Sequence, residues 1–187
     1  MRRYSNRKLN QGCHFAAIVG VALSVLCVEA RGQETQPLVT RNHPKLSLAG
    51  AEIIIAAARK QAESMKLKVN IAIVDDGGHL LAFARMDGAR PASGYTAQTK
   101  AVTAATFRMP TGPFPPGAAA PDPLLNLSLQ NAAAASGGKA TTLFGGVPVM
   151  VDDQVAGAVG VGGATGEQDA QIARAGIEAL MKALSKE

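Results

Sequence analysis

The stretch Phe144–Asp169 reads FGGVPVMVDDQVAGAVGVGGATGEQD, and its pattern decides the fold. Two apolar runs, Val147–Val151 and Val155–Val161, flank a polar turn at 152–154, which predicts a β-hairpin. The stretch holds seven glycines, and glycine inside a strand is costly unless the backbone must approach another group closely. We therefore expect two strands whose backbone lies against a ligand or a partner subunit.

A helix is predicted directly after this hairpin. Thr165 and Gln168 have the spacing of a capping box, in which each side chain accepts a hydrogen bond from the backbone N–H of the other residue. Apolar residues then recur at helical spacing, which is typical of one buried helix face. That face comprises Ile172, Ala173, Gly176, Ile177, Leu180 and Leu184.

The sequence upstream of the hairpin predicts alternating helices and strands. The predicted elements are a helix from Ser47 to about Met65, strands at 69–74 and 79–86, a helix at 94–108 capped by Ser93, a loop with five prolines at 111–123, a helix at 124–135 and a strand at 140–144. Adjacent hairpins favour an antiparallel or mixed sheet over a parallel one. We therefore predict an α+β fold with a sheet of about five strands and helices packed on it.

The N-terminal thirty residues have the pattern of a secretory signal peptide. Four basic residues precede the uncharged apolar run Phe15–Val28, and a small-residue cleavage pattern ends at Ala30. The run has 14 residues, fewer than the roughly 20 that a bilayer span needs. We therefore expect cleavage near Ala30, no retained membrane span, a flexible leader at 31–45, a domain at 46–187, and a periplasmic or secreted protein.

Removal of the signal peptide would change the composition of the chain. Both cysteines, Cys13 and Cys27, lie within it, so the mature protein would form no disulfide and would have no thiol nucleophile. The formal net charge would fall from +5 to +2, with no basic cluster and five aromatic residues remaining. This pattern excludes a typical nucleic-acid-binding surface.

Five motifs in order resemble the GlcG/HbpS family of haem-binding proteins, once called DUF336 and also found at the C-terminus of PduO-type proteins. The motifs are Val74-Asp75-Asp76-Gly77-Gly78-His79-Leu80, Arg85-Met86-Asp87-Gly88, Lys100-Ala101-x-Thr103-Ala104-Ala105, Gly145-Gly146-Val147-Pro148 and Gly157 to Asp169. The resemblance covers Leu46 to Leu184. It implies a profilin-like, five-stranded antiparallel sheet with helices on both faces, and homo-oligomers of up to eight subunits. It also implies haem binding linked to redox sensing, although other members are encoded beside small-molecule catabolic enzymes.

His79 is the candidate iron ligand, because neutral imidazole is a common ligand of metals, including haem iron. The alternative is a surface histidine at a hairpin. His43, in the leader, is a weaker candidate for the same role. Under the haem hypothesis, the apolar side chains of Phe83 and Phe114 would flank the macrocycle.

Two cations are candidates for anion binding. Arg85 could hold a carboxylate or haem propionate through its planar guanidinium, or it could pair with Asp87. Lys100, on a helix rich in alanine and threonine, is either solvated or directed at an anion. Thr103 lies one turn further along the same face and could donate a hydrogen bond or act as a weak oxygen ligand.

The glycine loop before the last helix is a candidate anion-binding loop. Gly162, Gly163 and Thr165 precede a helix N-terminus, where free backbone N–H groups attract anions. The alternative is close packing between sheet and helix. The spacing does not match a dinucleotide-binding fingerprint.

No catalytic constellation is evident in the sequence, so a binding protein is favoured over an enzyme. The first hypothesis is an exported, oligomeric haem or tetrapyrrole-binding protein with a role in redox sensing or storage. The second is an accessory factor or enzyme that binds a small carboxylate at Arg85, Lys100 and the Gly162 loop. The third is a structural oligomer in which the glycines serve subunit packing.

Overall fold

The computed structural model describes Val39 and residues 41–186. In this part of the chain the elements follow the order α1 (Leu48–Ser64), β1 (Asn70–Asp75), β2 (Leu80–Arg85), α2 (Ser93–Phe107), α3 (Pro123–Ala135), β3 (Gly146–Val151), β4 (Gln154–Gly162) and α4 (Gly166–Leu184). The predicted signal peptide and most of the predicted leader lie outside the described residues. No helix in the described part is long and apolar enough to cross a membrane.

The four strands form one antiparallel sheet in the order β2-β1-β4-β3. The α+β class and the antiparallel sheet are therefore confirmed, but the sheet has four described strands, and the profilin-like description stays a prediction. The predicted strand at 140–144 is wrong. The N–H of Thr141 donates to the Thr103 hydroxyl (3.0 Å) instead of a neighbouring strand, and Gly145 has φ +117°, which ends any continuous extension into β3.

Helices pack on both faces of the sheet. α1 and α4 cover one face, where branched side chains of the strands meet alanine, isoleucine and leucine side chains of the helices. α2 covers the other face almost entirely with alanine. The buried residues on this second face are Ala72, Val74, Ala97, Ala101, Ala104, Ala105 and Ala158.

Glycines of β4 allow α2 to lie unusually close to the sheet. A Cβ at Gly160 would overlap the carbonyl oxygen of Ala97 and lie 2.5 Å from the amide nitrogen of Ala101. A Cβ at Gly162 would lie 2.6 Å from the carbonyl oxygen of Ser93. Gly160 and Gly162 therefore serve close packing against a helix of the same chain, because glycine is required where a helix backbone touches the strand. The expectation of a ligand or a partner subunit against this backbone is wrong at these two positions.

Helix caps explain where most helices begin. The Ser47 hydroxyl accepts a hydrogen bond from Gly50 N–H, and Asp122 caps α3 through Leu125 N–H. The capping box of Thr165 and Gln168 is confirmed at α4. The cap predicted for α2 is wrong: Ala92 is the N-cap residue, and the Ser93 hydroxyl accepts from the Arg90 side chain instead.

A β-bulge between β1 and β2 sets which side chains of β2 share a face. Leu80 lies opposite Val74 and Phe83 lies opposite Ala72, with a register shift between them. Because Val74 and Ala72 face α2, Leu80 and Phe83 face the same side, whereas Leu81 packs on the opposite cluster. Without the bulge, the alternation of a regular strand would put Leu81 on the same face as Phe83.

Candidate functional site

The turn between β1 and β2 holds His79 in a defined orientation. The Asp75 carboxylate accepts hydrogen bonds through Oδ1 from the N–H groups of Gly77 (2.9 Å) and His79 (2.8 Å). Its other oxygen, Oδ2, lies 3.3 Å from Nδ1 of His79. The side chain of His79 is 84% exposed, and its Nε2 has no partner among the described residues. A carboxylate on one ring nitrogen with the other nitrogen free is the arrangement that orients metal-binding histidines.

The contacts with His79 and Gly77 lower the pKa of the Asp75 carboxyl. Partial burial acts to raise the pKa of the Asp75 carboxyl, but the hydrogen bonds and charge of His79, with the N–H of Gly77, outweigh it. The pKa of Asp75 therefore lies below its usual value of 3.8. Asp75 stays ionised at neutral pH and favours the tautomer of His79 that carries the proton on Nδ1.

His43 differs from His79 because both of its ring nitrogens have partners. Nδ1 lies 2.5 Å from Oε1 of Gln154, and Nε2 lies 3.1 Å from Oδ2 of Asp76. These contacts tie the segment before α1 to the hairpin β3–β4 and to the β1–β2 turn. His79 is thus the histidine with a free ring nitrogen in the described part of the chain.

An exposed apolar surface continues from His79 along β2. Leu80 and Phe83 are both exposed on the α2 side of the strand, and the Phe83 ring lies against Gly94 of α2. We call Leu80, Phe83 and His79 the β2 surface. It combines one potential metal ligand with apolar side chains that have no cover in this structure.

Arg85 lies at the other end of the same strand. It is opposite Asn70 and faces the α2 side, as Phe83 does. Six residues of extended chain separate it from His79, about 20 Å at the rise of a strand. Arg85 is exposed and makes no ion pair with Asp87. It lies beyond the far edge of the β2 surface.

Lys100 forms a buried ion pair. Its Nζ donates to Oδ2 of Asp169 (2.7 Å) and to the carbonyl oxygen of Val161 (2.8 Å), and the two side chains are only 6% and 1% exposed. The other oxygen of Asp169 accepts from the N–H of Ala164 (3.1 Å). The side chain of Lys100 therefore lies where α2, β4 and α4 meet, and it does not lie with Arg85 on β2 or with His79 on the turn before that strand.

Burial controls the ionisation of Asp169. Removal of the carboxyl from water raises its pKa, and the hydrogen bond and charge of Lys100 oppose this only in part. Gly145 packs directly against the ion pair. A Cβ at this position would lie 2.6 Å from Cβ of Asp169 and 2.9 Å from Nζ of Lys100. The sequence pattern gave no sign that Asp169 is the partner of Lys100.

Thr103 has a structural contact in this structure. Its hydroxyl donates to the carbonyl oxygen of Thr99 (2.7 Å) and accepts from the N–H of Thr141 (3.0 Å). Both interactions hold the segment that precedes β3 against α2. The role predicted for Thr103 in binding a ligand stays a prediction.

A polar pocket of about 290 Å³ lies beside the ion pair. Gly163 lines it, with φ +138°, and Thr165 caps the helix that follows. Gly162 instead packs against the start of α2. The residues that line the polar pocket are Arg90, Thr96, Lys100, Thr142, Leu143, Phe144, Gly163, Ala164, Gly166 and Asp169.

A larger, mostly apolar cavity of about 530 Å³ lies on the other side of Phe144. The proline-rich segment Met109–Pro121 forms most of its wall, and Phe144, Ala170 and Arg174 complete it. We call it the proline-loop cavity. It contains Phe114, one of the two predicted flanking aromatic residues, but not Phe83.

Sequence reasoning missed several residues that these two sites depend on. Arg90 and Arg174 carry no motif, and only folding brings them to a pocket. Phe144 lies between the pockets because Gly112 and Gly166 leave room for its ring and Cβ. Within the described residues, no group of three or more His, Cys, Asp or Glu side chains could hold a metal ion.

The chain matches a family model and several known proteins. The model described as "Haem degrading protein HbpS-like" matches residues 46–178. Protein GlcG of Escherichia coli K12 is 44% identical over 116 residues, which cover 62% of this chain and 80% of GlcG.

Solved structures share the fold. The Klebsiella pneumoniae protein ORFY, assigned to DUF336, superposes on this chain with a TM-score of 0.66 at 30% identity. The superposition covers 79% of this chain and 98% of ORFY. A crystal structure described as a PduOC:Heme complex superposes with a TM-score of 0.60 at 29% identity and covers 72% of this chain and 94% of PduOC. The resemblance seen in the five sequence motifs is confirmed, and the chain belongs to the HbpS-like family.

Proposed function

We propose that this protein binds haem or a related tetrapyrrole on the β2 surface, with Nε2 of His79 as the iron ligand. The observation that carries the proposal is the Asp75–His79 pair, which leaves Nε2 free on an exposed turn. The family model and the haem-bound PduOC relative support the same ligand class.

The residues of the β2 surface fit such a group. Leu80 and Phe83 offer exposed apolar side chains beside His79, on which the flat face of a macrocycle can pack. Asp75 holds the imidazole and increases its basicity toward a metal. Haem iron, when bound, would supply redox or ligand-sensing chemistry, and the chain would set its exposure. Arg85 could reach a carboxylate only at the far edge of this surface.

Haemin titration followed by the Soret absorbance tests the proposal. Wild-type protein is expected to give a saturable, stoichiometric change. His79→Ala is expected to weaken haemin binding by at least about tenfold, and Asp75→Asn by about 10–100-fold, because loss of the outer partner of a metal-binding histidine has that effect. Asp75→Asn keeps an acceptor for the turn N–H groups, so the effect would report orientation of the imidazole.

His43→Ala is the matched control, because both ring nitrogens of His43 have internal partners. It should leave the haemin titration unchanged, with far-ultraviolet circular dichroism verifying the fold of every variant. A saturable band that survives His79→Ala would remove His79 as the ligand. The absence of saturable binding in the wild type would overturn the proposal.

A second candidate function is the binding of a small carboxylate in the polar pocket. Arg90 and Lys100 both line it, and Asp169 is its single acidic lining residue. Gly166, at the start of α4, also lines this pocket, and its N–H has no partner in the described part of the chain. Under this hypothesis Arg90 takes the place that the sequence pattern gave to Arg85.

Thermal unfolding with added acetate and lactate tests the carboxylate hypothesis. Wild-type protein should be stabilised in a concentration-dependent way, because a ligand that binds only the folded state shifts the equilibrium by mass action. Arg90→Gln should abolish the shift, and Lys139→Gln, a charge change at an exposed residue outside the pocket, should not. Equal shifts in both variants would indicate a non-specific salt effect.

We also propose that the protein is exported and forms homo-oligomers. Export rests on the signal-peptide pattern at residues 1–30, and determination of the N-terminal residue of the mature protein tests it. Oligomerisation is supported by the two edge strands and by the uncovered apolar side chains of the β2 surface. Light scattering of the purified protein measures the subunit number, and a monomer at all concentrations would contradict the proposal.

A further inference from the structure

The proline-loop cavity is a second concave site, separate from the β2 surface. Its volume of about 530 Å³ lies within the range of roughly 300–1,000 Å³ that is usual for small-molecule sites. None of His79, Leu80, Phe83 or Arg85 lines it. The proposed tetrapyrrole site therefore leaves this cavity without a role.

Specific contacts hold the wall of the cavity in place. The side chain of Asn126, on α3, accepts a hydrogen bond from the N–H of Phe114 (2.9 Å) and donates to the carbonyl oxygen of the same residue (2.8 Å). The Phe114 ring packs on Phe107 at a centroid distance of 5.6 Å. The N–H of Asp122 also donates to the Phe114 carbonyl (2.9 Å). These contacts hold the segment in a defined conformation, although it has no regular secondary structure.

The wall offers few hydrogen-bond donors. Five of its residues are prolines, which have no backbone N–H: Pro110, Pro113, Pro115, Pro116 and Pro121. Phe114 and Phe144 add apolar ring surface. A ligand in this cavity must therefore bring an apolar body, because few of its polar groups could find a donor.

Arg174 and Thr111 each bring a side-chain hydrogen-bond donor to the lining of the cavity. Arg174 lines it from α4, is exposed, and has no ion pair or hydrogen bond to another described residue. The hydroxyl of Thr111, itself 5% exposed, accepts from the N–H of Gly146 (2.8 Å) and keeps its own proton to donate. The planar guanidinium of Arg174 matches a carboxylate, because it can donate two parallel hydrogen bonds.

We propose that the proline-loop cavity binds an apolar monocarboxylic acid, with the carboxylate on Arg174 and the hydrocarbon body against Phe114, Phe144 and the prolines. The charge of the site selects an acid, because Arg174 is the only charged residue among those that line the cavity. The apolar walls select a hydrocarbon chain over a small hydrophilic acid. This inference does not depend on haem binding.

Isothermal titration calorimetry of the full chain with octanoate, hexanoate and 1-octanol tests the proposal. Octanoate should bind saturably. Hexanoate should bind about 15-fold more weakly, because it lacks two methylenes and each buried methylene contributes about a fourfold change in affinity. Arg174→Gln should weaken octanoate by about tenfold or more, the usual effect of losing a hydrogen bond to a charged group, and should leave 1-octanol unchanged.

Lys182→Gln is the matched control, since Lys182 is an exposed cation on the same helix and does not line the cavity. It should leave octanoate binding unchanged. Ala118→Phe, which fills the cavity from a loop position, should abolish binding of both probes, with the melting temperature verifying the fold.

Three results would overturn the inference. Octanoate could fail to bind saturably, or it could bind equally to Arg174→Gln and Lys182→Gln. Haemin could displace octanoate and itself lose affinity in Arg174→Gln but not in His79→Ala. That last result would make the cavity the tetrapyrrole site and would move the proposed function there, whereas octanoate binding without haemin binding would refute only the tetrapyrrole proposal.

Discussion

Replacement of Asp169 by alanine is expected to destabilise the domain by about 3–5 kcal/mol, the usual cost of breaking a buried ion pair by removing one partner. The Lys100 ammonium would then lie at a site that is 6% exposed, with only the carbonyl oxygen of Val161 as a remaining acceptor. The 2.7 Å contact between Nζ and Oδ2 leaves no room for water in the present pair. For a domain of this size the loss corresponds to a fall in Tm of about 6–20 °C.

The double variant Lys100→Met/Asp169→Leu separates charge from shape. Because no charge remains buried, the double variant should be more stable than Asp169→Ala. The N–H of Ala164 and the carbonyl of Val161 would still lose their partners, at a cost of about 1 kcal/mol or more for each, so the recovery should be partial. Equilibrium unfolding in urea measures all three proteins on the same scale.

Glu178→Gln provides the reference, because Glu178 is an exposed acid on the same helix and should shift stability by no more than about 0.5 kcal/mol. If the double variant is as unstable as Asp169→Ala, the reasoning is refuted. The cost would then come from lost packing or hydrogen bonds, and not from a buried unpaired charge.

Three further outcomes are expected. Gly160→Ala should cost about 3 kcal/mol or more in urea unfolding, because its Cβ would overlap the backbone of α2, and Gly138→Ala, at an exposed position, should change little. Because burial raises the pKa of Asp75 less than the contacts with His79 lower it, the stabilisation from Asp75 is present above pH 3.8 and lost as the pH falls through its folded-state pKa. The stability difference between wild type and Asp75→Asn should therefore shrink at acid pH, and a constant difference would contradict this account. Thr165→Ala should lower stability by about 1 kcal/mol by removing the capping box, as measured by Tm, and no change in Tm would contradict it.

The hairpin and the helix caps could be predicted because their causes are local. The turn at 152–154 and the alternation on either side of it define β3 and β4, and the Thr165 side chain reaches the helix N–H within one turn. Residue spacing alone carries such information. The predicted fifth strand at 140–144 was wrong because a strand requires hydrogen bonds to a neighbouring strand. The N–H of Thr141 instead donates to the side chain of Thr103 on α2, a contact that the local sequence does not reveal.

The candidate site was predictable in its residue types but not in its arrangement. His79 is exposed after a glycine turn, as the interpretation of it as a surface histidine at a hairpin predicted. Phe83 lies on the same face of β2 as Arg85, toward α2. The bulge in the β1–β2 pair moved Leu80 to that face, which a strict alternation could not show. Lys100 was read as a possible anion ligand, yet its partner Asp169 lies 69 residues away in the chain.

The family, the α+β class and the capped terminal helix could be predicted from the amino-acid sequence alone. Each of these depends on motifs or on spacing within a few residues of the chain. The position of each charged group in space depends on the folded chain: Lys100 pairs with Asp169, Arg90 lines the polar pocket, and Arg174 lines the proline-loop cavity. The physical reason is that burial and charge pairing depend on distances between elements that are remote in sequence, and those distances exist only after the helices have packed on the sheet.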